Sequence, residues 1–403
     1  MVKVLHFADL HIGVENYGRL DAATGLHTRL LDFLRSFDEL VAYAFKEQVD
    51  LVLFAGDAYK NRDPNPTHQR EFAKRIRQLA AADIPVFLLT GNHDIPNIAG
   101  RANTLDIFPT LEVPNVYVAR KLATYRIQTR SGPLQIVALP WLVRSHLLSR
   151  DEYKNRTLAE IDELTLATIE KLLQVEIASL DPHIPTILAV HGSVQGAVYS
   201  SERSVMLGQE IILPRNLLTN PAFDYVALGH IHRHQELASN PPVVYSGSLD
   251  RIDFGEEKEE KGFVVAEVER GHACYQFVKL ASTRPFVTIE VQADGADPMA
   301  QVREAIAQHE LQEAIVRLII HTTAEKNHFL DDNEIHKLLD QAFKIATIVR
   351  DVRRESRLRL GPNQNVEQMT PLEVLRVYLQ ARQVEKQRME RLLEYARRLM
   401  SDV

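Results

Sequence analysis

Five separated apolar runs in this chain each end in glycine, aspartate, asparagine or histidine. That recurrence constrains the fold more than any other feature. Val4-Leu5-His6-Phe7-Ala8 leads into Asp9-Leu10-His11. Leu51–Ala55 leads into Gly56-Asp57, and Val86–Thr90 into Gly91-Asn92-His93-Asp94. Ile187–Val190 leads into His191-Gly192, and Val226-Ala227-Leu228 into Gly229-His230-Ile231-His232. Short β-branched and aliphatic runs bounded by turn residues read as buried strands. In α/β proteins ligands gather beyond the carboxyl ends of such strands, so turns distant in sequence can converge on one sheet edge. Glycine lets the backbone turn sharply and approach closely there.

Between the strands the periodicity becomes helical. Leu30, Leu34, Phe37, Val41 and Ala44 share one helix face, Arg70–Ala82 predicts a second helix, and Leu158–Leu180 a long third. Further strands are expected at Gln135–Leu139, Val243–Ser246, Gly262–Val268 and Tyr275–Leu280. Alternation of this kind argues for an α/β sandwich with its helices outside. Around Ser282-Thr283-Arg284-Pro285 the pattern resets into a small α/β unit. Strands are expected there at Phe286–Val291, Ala314–Ile320 and Ile345–Val349, with helices Pro298–Glu310 and Asn333–Ala342. Leu360–Asn365 reads as a linker, after which Pro371 opens a last helix to about Met400. Leu372, Leu375, Leu379, Leu392, Ala396 and Leu399 place an apolar stripe along it. The expected division is therefore 1–282, 283–354 and 355–403.

The donors after the five strands are carboxylate, imidazole and amide oxygen, with no thiolate. Such a mix suits Mn, Fe or Zn in a reactive site better than a structural zinc site. Asp9, His11, Asp57, Asn92, His191, His230 and His232 are too many for one ion. They suit two divalent ions bridged by an aspartate.

This ordered set resembles the calcineurin-like metallophosphoesterases and, within them, the nuclease-subunit branch typified by SbcD. Thr24–Arg29, Gly56–Pro64 and Ser246–Phe254 widen the match, which weakens in the final third. The resemblance implies an α/β metallophosphoesterase-type sandwich, a capping domain that recognises DNA, and a C-terminal helical segment that docks a partner. It implies one ion on Asp9, His11, Asp57 and His232. A second falls on Asp57, Asn92, His191 and His230, with Mn²⁺ the usual activator. His93 matches the catalytic histidine, and Asp94 is the carboxylate expected to orient its ring. The implied activity is DNA cleavage, exonucleolytic on double strands and endonucleolytic on single strands and hairpins. Implied partners are DNA, an SbcC-type coiled-coil ATPase subunit, and a second copy of the chain in a two-plus-two assembly. A small nucleotide or a phosphoprotein would use the same metal motifs. Three residues after Asp57, relatives often carry His or an acid, whereas Lys60 stands here; it either holds a substrate phosphate or is solvated.

Composition bounds these readings. With 47 Lys+Arg against 54 Asp+Glu and a net charge of −7, the chain is not a typical free-standing DNA binder. Either its partner is not nucleic acid, or its grip on DNA is local, metal-assisted or shared with another subunit. No apolar run approaches the roughly 18 residues of a membrane span. The N-terminal residues turn polar too soon for a signal peptide, and the single Cys274 excludes an intrachain disulfide framework. A cytoplasmic protein is expected. No Gly-Lys pair exists to form an ordinary ATP-binding loop, so ATP control would come from the partner. His6, Trp141 and Cys274 are expected to be packed residues, His234 a loop residue, and Glu256–Lys261 a solvated charged turn.

Overall fold

The computed structural model describes residues 1–96, 101–143, 156–200, 210–353, 370–382 and 384–401. Its framework is a pair of six-stranded sheets. The first contains β1 (Val2–Phe7), β2 (Leu51–Phe54), β3 (Val86–Leu89), β4 (Val116–Ala119), β13 (Gly262–Glu269) and β14 (His272–Lys279), ordered β14-β13-β1-β2-β3-β4. The second contains β5 (Ala123–Thr129), β6 (Gly132–Leu139), β7 (Thr186–His191), β10 (Tyr225–Gly229), β11 (Gln235–Ser239) and β12 (Pro242–Tyr245), ordered β11-β12-β10-β7-β6-β5. Two-residue strands β8 (Ser193–Val194) and β9 (Ile212–Leu213) pair beside it. β1 to β4 run parallel, as do β6, β7, β10 and β12.

Alternation along the strands builds separate cores. On β1, Leu5 and Phe7 pack with Leu34 and Phe37 of α1 (Thr28–Lys46) and with Phe72 and Ile76 of α2 (Pro66–Ala81). Val2 and Val4 point the other way, into the layer between the sheets, against Ile136, Ala189 and Ala227. β7 and β10 repeat the logic outward, where Leu188 and Val226 meet Ile169 and Leu173 of the long helix Leu158–Ala178. Parallel strands buried on both faces explain why these segments read as near-continuous apolar runs. His6 pins the sheets together: its ring nitrogens lie 3.0 Å from Tyr225 Oη and 3.2 Å from Leu228 O. Burial lowers its pKa to about 3, so the pin is neutral.

Several expectations need correction. The second helix begins four residues early because Asn65 caps it and Pro66 occupies its first turn, a strong start signal. β4, β5 and β11 were not legible as strands, since β5 and β11 lie at sheet edges and carry polar residues on their open faces. Cys274 is exposed. On edge strand β14, Ala273, Tyr275 and Phe277 take the inward positions and leave Cys274 on the opposite face.

The described chain divides into two compact units: Met1–Thr288 with His309–Arg317 and Leu339–Thr347, and Ile289–Gln308 with Leu318–Leu338 and Ile348–Val403. The three-stranded sheet β15 (Phe286–Gln292), β16 (Ile315–Thr323) and β17 (Lys344–Arg353) contributes residues to both units. Phe286 and Ile315 join Phe254 in an apolar cluster of the first unit, so residues on both sides of the expected 282/283 boundary share that unit. In the second unit, helices Pro298–Ala307 and Asp332–Leu338 are linked by an Arg303–Glu334 pair at 2.6 Å. The expected linker at 360–365 lies outside the described residues. The single last helix is in fact two, Pro371–Ala381 and Lys386–Ser401, packed on each other. The break shifts the helical phase. Leu379 and Leu393 are buried, while Leu392 and Leu399 of the expected stripe are exposed. Among the described residues, no helix is long and apolar enough to cross a membrane.

Close approach of the two sheets rests on Gly229 at the end of β10. A Cβ there would lie 2.2 Å from Ala55 O and 2.9 Å from Ala8 Cβ. Gly229→Ala is therefore expected to cost about 1–3 kcal/mol as overpacking, read as a lower midpoint in urea unfolding. An unchanged midpoint would show that the sheets can part freely.

Candidate metal centre

β1, β2 and β3 of one sheet and β7 and β10 of the other end at the same edge of the sandwich. The turns that follow are stitched together by backbone. Asp9 N donates to Gly56 O at 3.0 Å, and the N–H groups of Leu10 and His11 donate to Asp57 O at 3.0 and 3.1 Å. The second sheet joins through His230 N, which donates to both Asp9 carboxylate oxygens at 3.0 and 2.9 Å. Asp9, His11, Asp57 and His230 all adopt positive φ, of 52°, 46°, 65° and 101°. Left-handed conformations at non-glycine residues are strained and gather at functional sites. Here the donor residues, more than the glycines beside them, carry the sharp turn. Gly91 serves close approach instead: a Cβ there would lie 2.1 Å from Asp57 Oδ1.

All seven residues expected as ligands meet at this edge, and all are buried. Three groups of donor atoms lie close enough to hold a cation: Asp9, His11 and His232; His11, Asp57 and His93; and Asp57, His191 and His230. Asp57 belongs to the second and third groups, and His11 links the first to the second. Asp57 Oδ1 accepts from His93 N at 2.8 Å, while Oδ2 lies 3.7 Å from His11 Nε2 and 3.5 Å from His191 Nε2. Asn92 Oδ1 lies 3.0 Å from His191 Nε2 and 3.1 Å from His230 Nδ1. His11 Nε2 and His232 Nε2 face each other at 3.1 Å.

The outer ring nitrogens explain what the inner ones offer. His191 Nδ1 is 2.7 Å from Ala55 O, and His232 Nδ1 is 2.7 Å from Glu256 Oε1. A carbonyl or carboxylate only accepts, so each Nδ1 carries the proton and each Nε2 turns a lone pair inward. His230 has the reverse orientation, with Nε2 3.4 Å from Glu210 Oε1 and Nδ1 turned inward. Lone pairs from imidazole, amide and carboxylate thus converge on one another, an arrangement that a cation relieves. The donor set fits divalent ions that favour nitrogen and oxygen.

Burial pushes the His11 pKa well down. Burial also opposes charge on His191, but neighbouring Asp57 outweighs it and raises that ring to about 9, so with no cation beside it His191 also carries a proton on Nε2, which a bound cation would replace. Burial acts to raise Asp57, yet the surrounding histidines, His191 first, hold it well below the usual carboxylate range.

The resemblance gives Asp94 the orientation of the His93 ring; the structure gives it a different task. His93 Nδ1 lies 2.6 Å from Lys60 O, so a backbone carbonyl orients that ring. The fully buried Asp94 carboxylate accepts from the backbone N–H groups of Asp57, Ala58 and Gly91 at 2.9, 3.1 and 2.9 Å. It anchors the turns that present Asp57 and Asn92. Burial and the Asp57 charge raise its pKa to about 6 against those donors.

Sequence reasoning missed other contributors. Trp141 is more than a packed residue, since its ring lies 5.1 Å from that of His230, tilted 40°. Glu210 and Glu256 each approach a site histidine. The charge run is not a solvated turn: Glu256 and Lys261 are buried and paired at 2.9 Å. Flanking Phe254 and Phe263, both buried, were the available hint. His234 stacks on Phe277 at 4.3 Å and bonds Tyr245 O, away from the ligands.

The fold and this edge define a phosphoester hydrolase built around clustered metal-ligating side chains. Residues 2–234 match the family model described as calcineurin-like phosphoesterase, and the chain belongs to that family. The family uses a dimetal centre. The chain is 25% identical over 296 residues to the DNA double-strand break repair protein Mre11 of Thermoplasma acidophilum, covering 72% of this chain and 68% of that one. It is 27% identical over 292 residues to the SbcD component of the nuclease SbcCD of Staphylococcus epidermidis, covering 72% of each. Its identity to the SbcD component of the nuclease SbcCD of Bacillus subtilis is 26% over 352 residues, covering 84% of this chain and 82% of that one.

Asp94→Asn tests the anchoring role. The amide sets an NH₂ group against at least one buried N–H donor, and an orphaned donor costs about 1–3 kcal/mol. Stability in denaturant should fall by about that much, and bound metal per chain should fall with it although Asp94 is no ligand. Unchanged values for both would assign the turns another anchor.

Proposed function

We propose that this chain is the nuclease subunit of an SbcCD-type DNA repair complex and hydrolyses DNA phosphodiesters with two divalent ions, Mn²⁺ the most effective. The observation that carries this reading is the gathering of seven donor residues at one sheet edge, with Asp57 Oδ2 facing both His11 and His191. Similarity to Mre11 and to the SbcD component of SbcCD over most of the chain supports DNA as the substrate. Asp9, His11, Asp57 and His232 would hold one ion, and Asp57, Asn92, His191 and His230 the other. Two such ions offset the phosphate charge and make an attacking water more acidic.

The chain's own groups then divide the remaining work. Lys60 O fixes the proton on His93 Nδ1, so His93 can donate only as imidazolium, through Nε2. Its ring stands edge-on to His11 at 4.9 Å, next to the clustered donors. From there it stabilises or protonates the departing oxygen. Arg62 Nε donates to Asn92 O at 3.1 Å and steadies the turn from the other side. The α/β unit after residue 282 is assigned to DNA recognition. The C-terminal helical pair is assigned to docking a coiled-coil ATPase subunit, consistent with exposed Tyr395, Leu399 and Met400. Two copies of each subunit would form the complex, in the cytoplasm. Exonuclease action on double strands and endonuclease action on single strands and hairpins are the expected activities.

His93→Ala should keep two Mn²⁺ per chain by elemental analysis while cleavage of double-stranded and hairpin DNA falls about 10²–10⁴-fold. Activity within a few-fold of the parent would place the leaving-group role on another residue. Removing residues 356–403 should abolish co-purification with the ATPase subunit and leave Mn²⁺-dependent cleavage of a simple phosphodiester intact. Full-stoichiometry association after truncation would move the docking surface elsewhere.

A further inference from the structure

Two opposite charges are buried beside His232 with no part in the proposed chemistry. Glu256 is 0% exposed and Lys261 1%. Burying an ion pair in place of apolar side chains seldom adds stability, because desolvation offsets the attraction. The contacts around the pair indicate what it does instead. Glu256 Oε1 takes His232 Nδ1 at 2.7 Å. Its Oε2 takes Lys261 Nζ at 2.9 Å and Ile252 N at 3.0 Å. Lys261 Nζ also donates to the backbone oxygen of His232 at 3.0 Å and to Glu259 at 2.8 Å. One histidine is thus gripped at both its ring and its carbonyl by two charges that neutralise each other.

We propose that Glu256, backed by Lys261, is a positioning residue that selects the tautomer of His232 and sets the affinity of the ion at Asp9, His11 and His232. This rests on the reading that the cluster holds metal. The carboxylate obliges Nδ1 to carry the proton and aims Nε2 at His11 Nε2, 3.1 Å away. A charged acceptor behind an imidazole also makes it a more basic ligand than a neutral one does. His191, in the other group, is backed by the neutral carbonyl of Ala55 at 2.7 Å. In that group Glu210 stands 3.4 Å from His230 Nε2, farther than Glu256 from His232 Nδ1 at 2.7 Å, so each half has its own carboxylate and Glu256 acts on this one. Lys261 keeps the added carboxylate from burying another uncompensated negative charge beside Asp9 and Asp57.

The test is Mn²⁺ titration of the full chain by calorimetry, with metal counted per chain. The double substitution Glu256→Gln with Lys261→Met removes the two fully buried charges together and leaves Glu259, which is half-buried, with the Ser200 hydroxyl as its partner. The parent should bind two ions. The double variant should still fold, with a lower unfolding midpoint without metal because the new amide faces the Ile252 N–H, hold one ion as before, and bind the second about 10–100-fold more weakly. Combined with His232→Ala, the double substitution should add no further weakening. Two ions bound by the variant within twofold of the parent overturn the role of Glu256, whereas no binding by the parent overturns the metal reading beneath it. A second readout needs no Glu256 variant. Long-range proton–nitrogen spectra of histidine-labelled parent protein, with His232 assigned by its loss in His232→Ala, should show the Nδ1–H form. The Nε2–H form would overturn the proposal.

Discussion

Three aspartates and four histidines are buried at the mouth of an apolar sandwich, and this is tolerable because the carboxylates and most of the rings meet fixed partners. Unpaired polar groups in such a place cost several kcal/mol each. Asp9 receives the His230 N–H, Asp57 the His93 N–H, and Asp94 three N–H groups from two different turns. The outer nitrogens of His191 and His232 find acceptors, and Glu210 approaches that of His230. Inner atoms are thereby left facing one another at 3.0–3.1 Å, as His11 faces His232 and Asn92 faces His191 and His230.

That arrangement also accounts for the strain. Asp9, His11, Asp57 and His230 hold left-handed backbone at a cost of order 1–3 kcal/mol each. Such conformations persist only when the surroundings over-determine them. Paired sheet ends, the Asp94 anchor and the Gly229–Ala55 approach do so here. Stability of the sandwich and preorganisation of the donors are one problem solved by one set of hydrogen bonds. Substitutions beneath the donors should therefore register in both.

Partner geometry places other residues in supporting roles that chemistry alone would not suggest. Lys60 matters through its backbone carbonyl, which orients His93. Trp141 closes one flank of the centre against His230. Beyond the first core, the break between the two C-terminal helices buries Leu393 and leaves Leu392 outward, which interrupts the apolar stripe that one continuous helix would present.

The amino-acid order alone determined the framework and the donors. The runs at Val2–Phe7, Leu51–Phe54, Val86–Leu89, Thr186–His191 and Tyr225–Gly229 are buried on both faces, so continuous hydrophobicity marked them without tertiary knowledge. Ligand-type residues directly after each run were legible for the same local reason. Edge strands β5 and β11 were hidden because only one face or neither is buried, which blurs the pattern. Only the tertiary structure decided which atoms face the centre and what stands behind them. His191 meets Ala55 across 136 residues, His93 meets Lys60 O across 33, and His232 meets Glu256 across 24. No periodicity encodes such pairs, because they arise where two sheets and a connecting turn close on one another. Glu256 and Lys261 show this most plainly: along the chain they are the ends of a charged run, and folded they are a buried clamp on one histidine.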